Sequence, residues 1–101
     1  MPSEWLQTGD GVRRRIVADG ERIMLAEVHF QAGAAGTRHN HPHEQATFVI
    51  KGRIRFTLGD KTTEYATGDT IHIPSNLMHQ TQALEESLLL EVFSPPREDF
   101  R

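Results

Sequence analysis

Between residues 12 and 93 the chain alternates short segments rich in β-branched and aromatic residues with Gly, Pro, Asp and Asn. None of the segments holds a helical period long enough to compete with a strand. Ile54, Phe56 and Leu58 alternate with Arg53, Arg55 and Thr57, the period of a strand buried on one face. The pattern predicts strands over Val12 to Val17, Arg22 to Phe30, Thr47 to Ile50, Arg53 to Leu58, Lys61 to Tyr65 and Thr70 to Ile73. Another begins near His79, and a last one runs from Ser87 to Phe93. The Asp19-Gly20 pair within Ala18 to Glu21 predicts a hairpin between the first two. Lys51-Gly52, Gly59-Asp60, Gly68-Asp69 and Pro74 to Leu77 mark later turns, and Pro95-Pro96 ends the last strand. Gly33 to Gly36 reads as a small, flexible connection, and Arg97 to Arg101 as a polar tail free to move. About nine short strands at this spacing predict an all-β sandwich or barrel.

Composition narrows the partners. The length of 101 residues predicts one domain spanning 1–101. Eleven Lys plus Arg against fourteen Asp plus Glu leave a net charge of −3, without the basic excess expected of a duplex-binding surface, so nucleic acid is not an expected partner. The longest aliphatic run is Leu88 to Leu90, far short of the roughly 20 apolar residues of a membrane helix, and no membrane partner is expected. With no cysteine, disulfides, thiolate metal sites and cysteine nucleophiles are excluded, and any metal must be held by nitrogen and oxygen. Met1 to Glu4 carries neither a basic nor an apolar leader pattern, so the expected address is cytoplasmic.

Three of the six histidines fall in His39-Asn40-His41-Pro42-His43-Glu44-Gln45. On an extended segment, His39 and His41 project to one face with α-carbons about 7 Å apart, so both imidazoles can reach one ion. Pro42 bends the chain and leaves His43 outside the expected shell, whereas Gln45, at the start of the next strand, can return an amide oxygen to it. The isolated His29 and His72 read as surface or hydrogen-bonded residues.

With these residues the sequence resembles the cupin superfamily, and the resemblance runs over nearly the whole chain. The first cupin motif is matched by Gly33, His39, His41, Gln45 and Gly52, and the second by Gly68, Pro74 and His79. Gln45 stands where most cupins have glutamate, Asn76 replaces the second motif's glycine, and Ala83 replaces its asparagine. Asn tolerates the left-handed turn that the glycine serves. The resemblance implies a double-stranded β-helix, the cupin jelly-roll barrel, and one divalent ion on His39, His41, Gln45 and His79. That neutral shell has an open position for substrate and suits Zn, Ni, Mn or Fe.

The string His-x-His-Pro-His-Glu-Gln, followed by Phe93 to Phe100, is similar to single-domain cupins of pectin degradation, which convert unsaturated monouronates to linear keto forms. This resemblance implies Glu91 as proton shuttle, Arg97 as a clamp for the substrate carboxylate and Phe93 as an apolar wall for substrate binding. Glu91 stands where that subgroup has aspartate. By pattern alone Glu91 could face solvent, Phe93 could be core, and Arg97 could be a surface ion-pair partner. Arg53 and Arg55 could line a cavity or be solvated. The expected function is a metal-dependent sugar-acid isomerase or tautomerase acting on a small molecule. The alternatives are a metal-dependent dioxygenase and a non-catalytic ligand-binding barrel. The missing anionic ligand favours Lewis-acid chemistry over oxygen activation. Resemblance and exposed sheet edges together imply a homodimer.

Overall fold

The computed structural model describes residues 2–101. Its strands are β1 (Leu6–Gly9), β2 (Val12–Asp19), β3 (Met24–Phe30), β4 (Glu44–Lys51), β5 (Arg53–Leu58), β6 (Lys61–Ala66), β7 (Thr70–Ile73), β8 (His79–Ala83) and β9 (Ser87–Ser94). A short 3-10 turn, Glu98–Phe100, follows. All strand pairs are antiparallel, in one sheet of order β1-β2-β3-β9-β4-β7 and another of order β6-β5-β8. This is the two-sheet all-β barrel that the alternation and the resemblance imply.

Alternation decides what each sheet buries. Met24, Ala26, Val28 and Phe30 of β3 point inward, as do Gln45, Thr47 and Val49 of β4. The apolar core joins Val28, Phe30, Val49 and Leu89 of the larger sheet to Ile54, Phe56 and Ala83 of the smaller one. Gln45 and Thr47 therefore occupy inward positions that pack polar groups, which marks that end of the barrel as the site.

Four local expectations change. Leu6–Gly9 forms an edge strand that the pattern does not announce: its single apolar side chain, Leu6, is exposed, and pairing with β2 alone holds it. The hairpin between β2 and β3 forms, but its loop lies later than Ala18 to Glu21. An irregularity between Ile16 and Ala18 shifts the register, Asp19 stays in β2 opposite Met24, and the loop becomes 20–23, closed by Gly20 N–H donating to Ile23 O at 2.8 Å. The 33–36 segment is pinned along β8, with Gly33 N–H donating to Ala83 O and Gly36 N–H to Thr81 O, both at 2.9 Å. Finally, 97–101 is docked. Phe100 packs edge-on against Phe93 at 5.3 Å, and Arg101 pairs with Asp19 at 2.7 Å.

Gly52, between β4 and β5, has φ +107, and a β-carbon there would lie 2.5 Å from Glu86 O and 2.8 Å from Ser87 Cα. Backbone strain and overpacking act together at this position. Gly52→Ala is expected to lower stability by roughly 2–5 kcal/mol, read as a fall in the urea midpoint at unchanged m-value.

Candidate metal centre and cavity

The backbone of His39 and that of His79, at the start of β8, exchange two hydrogen bonds, at 3.0 and 2.8 Å. Asn76 N–H donates to His41 O at 2.7 Å from the turn before β8, where Asn76 has φ 66. The turn and the head of β8 thus grip the His-x-His segment from both sides. His39, His41 and His79 converge, with one possible ligand atom from each lying within 4.8 Å of the others.

Each ring has its Nδ1 against a backbone carbonyl two residues away: His39 on Thr37 O at 2.6 Å, His41 on His43 O at 3.0 Å, His79 on Leu77 O at 2.8 Å. A carbonyl only accepts, so Nδ1 carries the proton in each neutral ring and Nε2 keeps its lone pair. Burial, reinforced by Arg97 and His79, lowers the His41 pKa to about 4. Burial also lowers that of His79. These two rings are neutral near pH 7 and competent as ligands.

Gln45 presents an amide oxygen to this cluster. Its Nε2 donates to Thr47 Oγ1 at 3.0 Å and to Glu91 Oε2 at 3.3 Å, which turns Oε1 toward His41 Nε2, 3.0 Å away. With the His41 proton on Nδ1, two acceptors face one another across that gap. Such a pair repels unless a cation lies beside it, and this chemistry fits a metal. The three histidines could hold a metal ion, and Gln45 offers a fourth, uncharged donor.

Beside this centre is a cavity of about 260 Å3, lined by His39, Gln45, His79, Glu91, Phe93 and Arg97 among others. It is just smaller than the roughly 300 Å3 at which drug-sized pockets begin, so it suits a small ligand. Glu91 faces inward because it shares the parity of Leu89 and Phe93 on β9. Its cross-strand neighbours are Ala26 and Thr47, small enough to leave space above them. Burial raises the Glu91 carboxyl to about 7, against the opposing effects of Arg97, Arg14 and the Gln45 hydrogen bond.

Phe93 is only 1% exposed, and its ring meets His41 edge-on at 5.8 Å, so it is core and cavity wall at once. Arg97 is buried. Its guanidinium grips Asp99 with two hydrogen bonds, Nε to Oδ1 at 3.0 Å and Nη2 to Oδ2 at 2.8 Å. His43 is half-buried beside His41, with rings 5.5 Å apart, and does not line the cavity. Arg53 and Arg55 are surface residues paired with Glu64, while His29 pairs with Glu86 and His72 with Glu44.

One cavity residue belongs to no motif in the sequence, Arg14. It lines the cavity from β2, between the inward positions of Val12 and Ile16. The period of two that places Val12 and Ile16 in the wall also places Arg14 there and turns Arg13 and Arg15 outward, where both stack on Trp5 at 4.7 Å.

A two-sheet barrel with a three-histidine centre at one end defines a cupin. The cupin domain family, Cupin_2, matches residues 26–93, and the chain belongs to it. The chain is 38% identical over 98 residues to the pectin degradation protein KdgF of Dickeya dadantii, covering 95% of this chain and 89% of that protein. The structure of KdgF from a Halomonas species superposes with a TM-score of 0.93 at 35% identity, covering 98% of this chain and 92% of that one. An RmlC-like cupin from Shewanella frigidimarina gives 0.92 at 28% identity, covering 97% and 88%.

The apolar core is built without the histidines, so the chain is expected to fold without a metal, in contrast to a zinc finger. A chelator is expected to lower the melting temperature of metal-loaded protein, as ligand linkage requires, while the far-ultraviolet circular dichroism at 25 °C stays unchanged.

Proposed function

We propose that the protein is a metal-dependent isomerase that opens the ring of a 4,5-unsaturated uronate and tautomerises it to the linear keto acid. The observation that carries this is the position of Glu91: it shares a cavity with His39 and His79 and is hydrogen-bonded to the amide of Gln45, which faces His41. The likeness to KdgF supports the choice of substrate.

His39, His41 and His79, with the Gln45 amide oxygen, would hold a divalent ion, which would supply Lewis-acid stabilisation of charge developing on substrate oxygens. Glu91 takes the hemiacetal hydroxyl proton as the ring C–O bond breaks and the former ring oxygen leaves as an enolate, and one proton is returned to the alkene carbon, which becomes a methylene as the enolate collapses to the ketone. Atoms and charge balance without a co-substrate. A carboxyl titrating near 7 is matched to such two-way transfer near neutral pH. Arg97 holds the substrate carboxylate in exchange for Asp99, whose side chain is 60% exposed and returns readily to water. Phe93 gives the sugar an apolar wall.

The test is the decay of ultraviolet absorbance of a 4,5-unsaturated uronate with protein loaded in turn with Zn, Ni, Mn or Fe. Acceleration over the spontaneous rate with at least one metal is the expected result. No acceleration with any of them overturns the proposal, and oxygen uptake by the iron form with a phenolic or diketone substrate replaces it with a dioxygenase.

A further inference from the structure

We propose that Arg14 is a substrate-binding residue, the second cation of the carboxylate seat, and that it selects uronates over neutral sugars. The inference rests on the uronate proposal above and adds a residue to it.

The two cavity arginines differ in how their charge is used. Arg97 is paired with Asp99 through two hydrogen bonds, from Nε and Nη2. Arg14 is half-buried, and among the described residues no carboxylate is hydrogen-bonded or ion-paired to it. What holds it is the ring of Phe100, whose centroid lies 3.6 Å from the Arg14 guanidinium carbon and 4.4 Å from that of Arg97. Phe100 thus packs against both guanidiniums. A flat aromatic contact fixes the plane of a guanidinium and leaves its N–H edge free to donate.

An arginine in this position is costly to keep. Burial works against its charge, and the fields of Asp99 and Glu91 offset that only in part. A core-facing position between Val12 and Ile16 would be filled more favourably by an apolar side chain unless the cation has a ligand. Asp99, bonded to Arg97, lines the same cavity as Arg14, so a carboxylate already sits in the cavity that both arginines line, and that carboxylate is mostly exposed. A substrate carboxylate that displaces Asp99 from Arg97 also reaches the field of Arg14, whose charge no residue has neutralised. A neutral sugar gains nothing from either arginine and must leave Asp99 in place.

The experiment measures binding of galacturonate and of its methyl ester to the metal-loaded protein by calorimetry, for wild type, Arg14→Gln, Arg14→Lys and Arg14→Met. Wild type is expected to bind the acid in preference to the ester. Arg14→Gln and Arg14→Met should weaken the acid roughly 10–100-fold, as loss of a charged hydrogen bond implies, and leave the ester unchanged. Arg14→Lys keeps part of the preference. With the unsaturated substrate, KM should rise by a similar factor while kcat stays within about threefold. Arg14→Met retains the aliphatic stem against Phe100, so an unchanged melting temperature in that variant separates recognition from packing. Acid binding at wild-type strength in Arg14→Met overturns the role of Arg14 and leaves the uronate proposal standing. Failure of wild type to bind or convert any uronate overturns both.

Discussion

Glu91→Gln is expected to lower turnover of the unsaturated uronate by roughly 10²- to 10⁴-fold, the usual cost of losing a general acid–base group, with metal occupancy unchanged. The substitution keeps the shape of the side chain and an oxygen able to accept from Gln45 Nε2, so the amide that aims Oε1 at the histidines stays oriented. It removes only the proton traffic. A purely structural Glu91 would behave differently. A carboxyl whose pKa rises on folding, here to about 7, binds more protons in the native state than in the unfolded one, so the stability it contributes falls as pH rises between its unfolded value and about 7. Metal-free Glu91→Gln should therefore be at least as stable as metal-free wild type at pH 8. Turnover falls while thermal stability does not, and melting curves beside steady-state rates at the same pH check both.

The second large effect is at the metal centre. His41→Ala is expected to abolish stoichiometric metal binding and to reduce turnover to the spontaneous rate. His41 gives its Nε2 to the centre and is the ring that Gln45 faces, so its loss removes one donor and orphans another. The fall in affinity should exceed the roughly 10–100-fold that follows loss of a residue supporting a ligand from behind. His29→Ala, on the outer surface beside Glu86, should leave affinity unchanged. Equilibrium dialysis with metal analysis measures both. Equal affinities in the two variants would place the ion elsewhere.

Much of this architecture is legible in the sequence because period-two alternation is the physical requirement of a half-buried strand. Arg53 to Leu58 is strand β5 with Ile54 and Phe56 buried. The turn at Pro74 to Leu77 carries Asn76 in a left-handed conformation, the tolerance that let Asn stand for glycine. The missed features lack a local signal. Leu6–Gly9 is strand only because β2 offers it an edge, and the Asp19-Gly20 turn is displaced by a register shift upstream that residue preferences do not reveal. The last residues read as a polar tail because Phe100 is their one apolar side chain, yet that ring covers Phe93 and both cavity arginines.

For the site, spacing alone aims His39 and His41 at a common point. The inward direction of Glu91 follows from the parity of Leu89 and Phe93, which sequence alone could not separate from the opposite parity of Leu90 and Val92, since both rows are apolar. The same parity argument applied to Val12 and Ile16 would have found Arg14. The pairing of Arg97 with Asp99 lay beyond sequence, because it depends on a turn that folds the chain back two residues later.

The most direct test of the proposal that Glu91 and the metal centre act on one substrate in one cavity is proton NMR of the metal-loaded enzyme converting a 4,5-unsaturated uronate in D2O. Glu91 occupies a single wall, on β9, so it can serve only one face of the alkene carbon. The expected product is a linear keto acid carrying one deuterium on one face of the new methylene, formed faster than in the absence of protein, with the label spread over both faces in Glu91→Gln. Equal labelling of the two faces by wild-type enzyme, at the spontaneous rate, would contradict it.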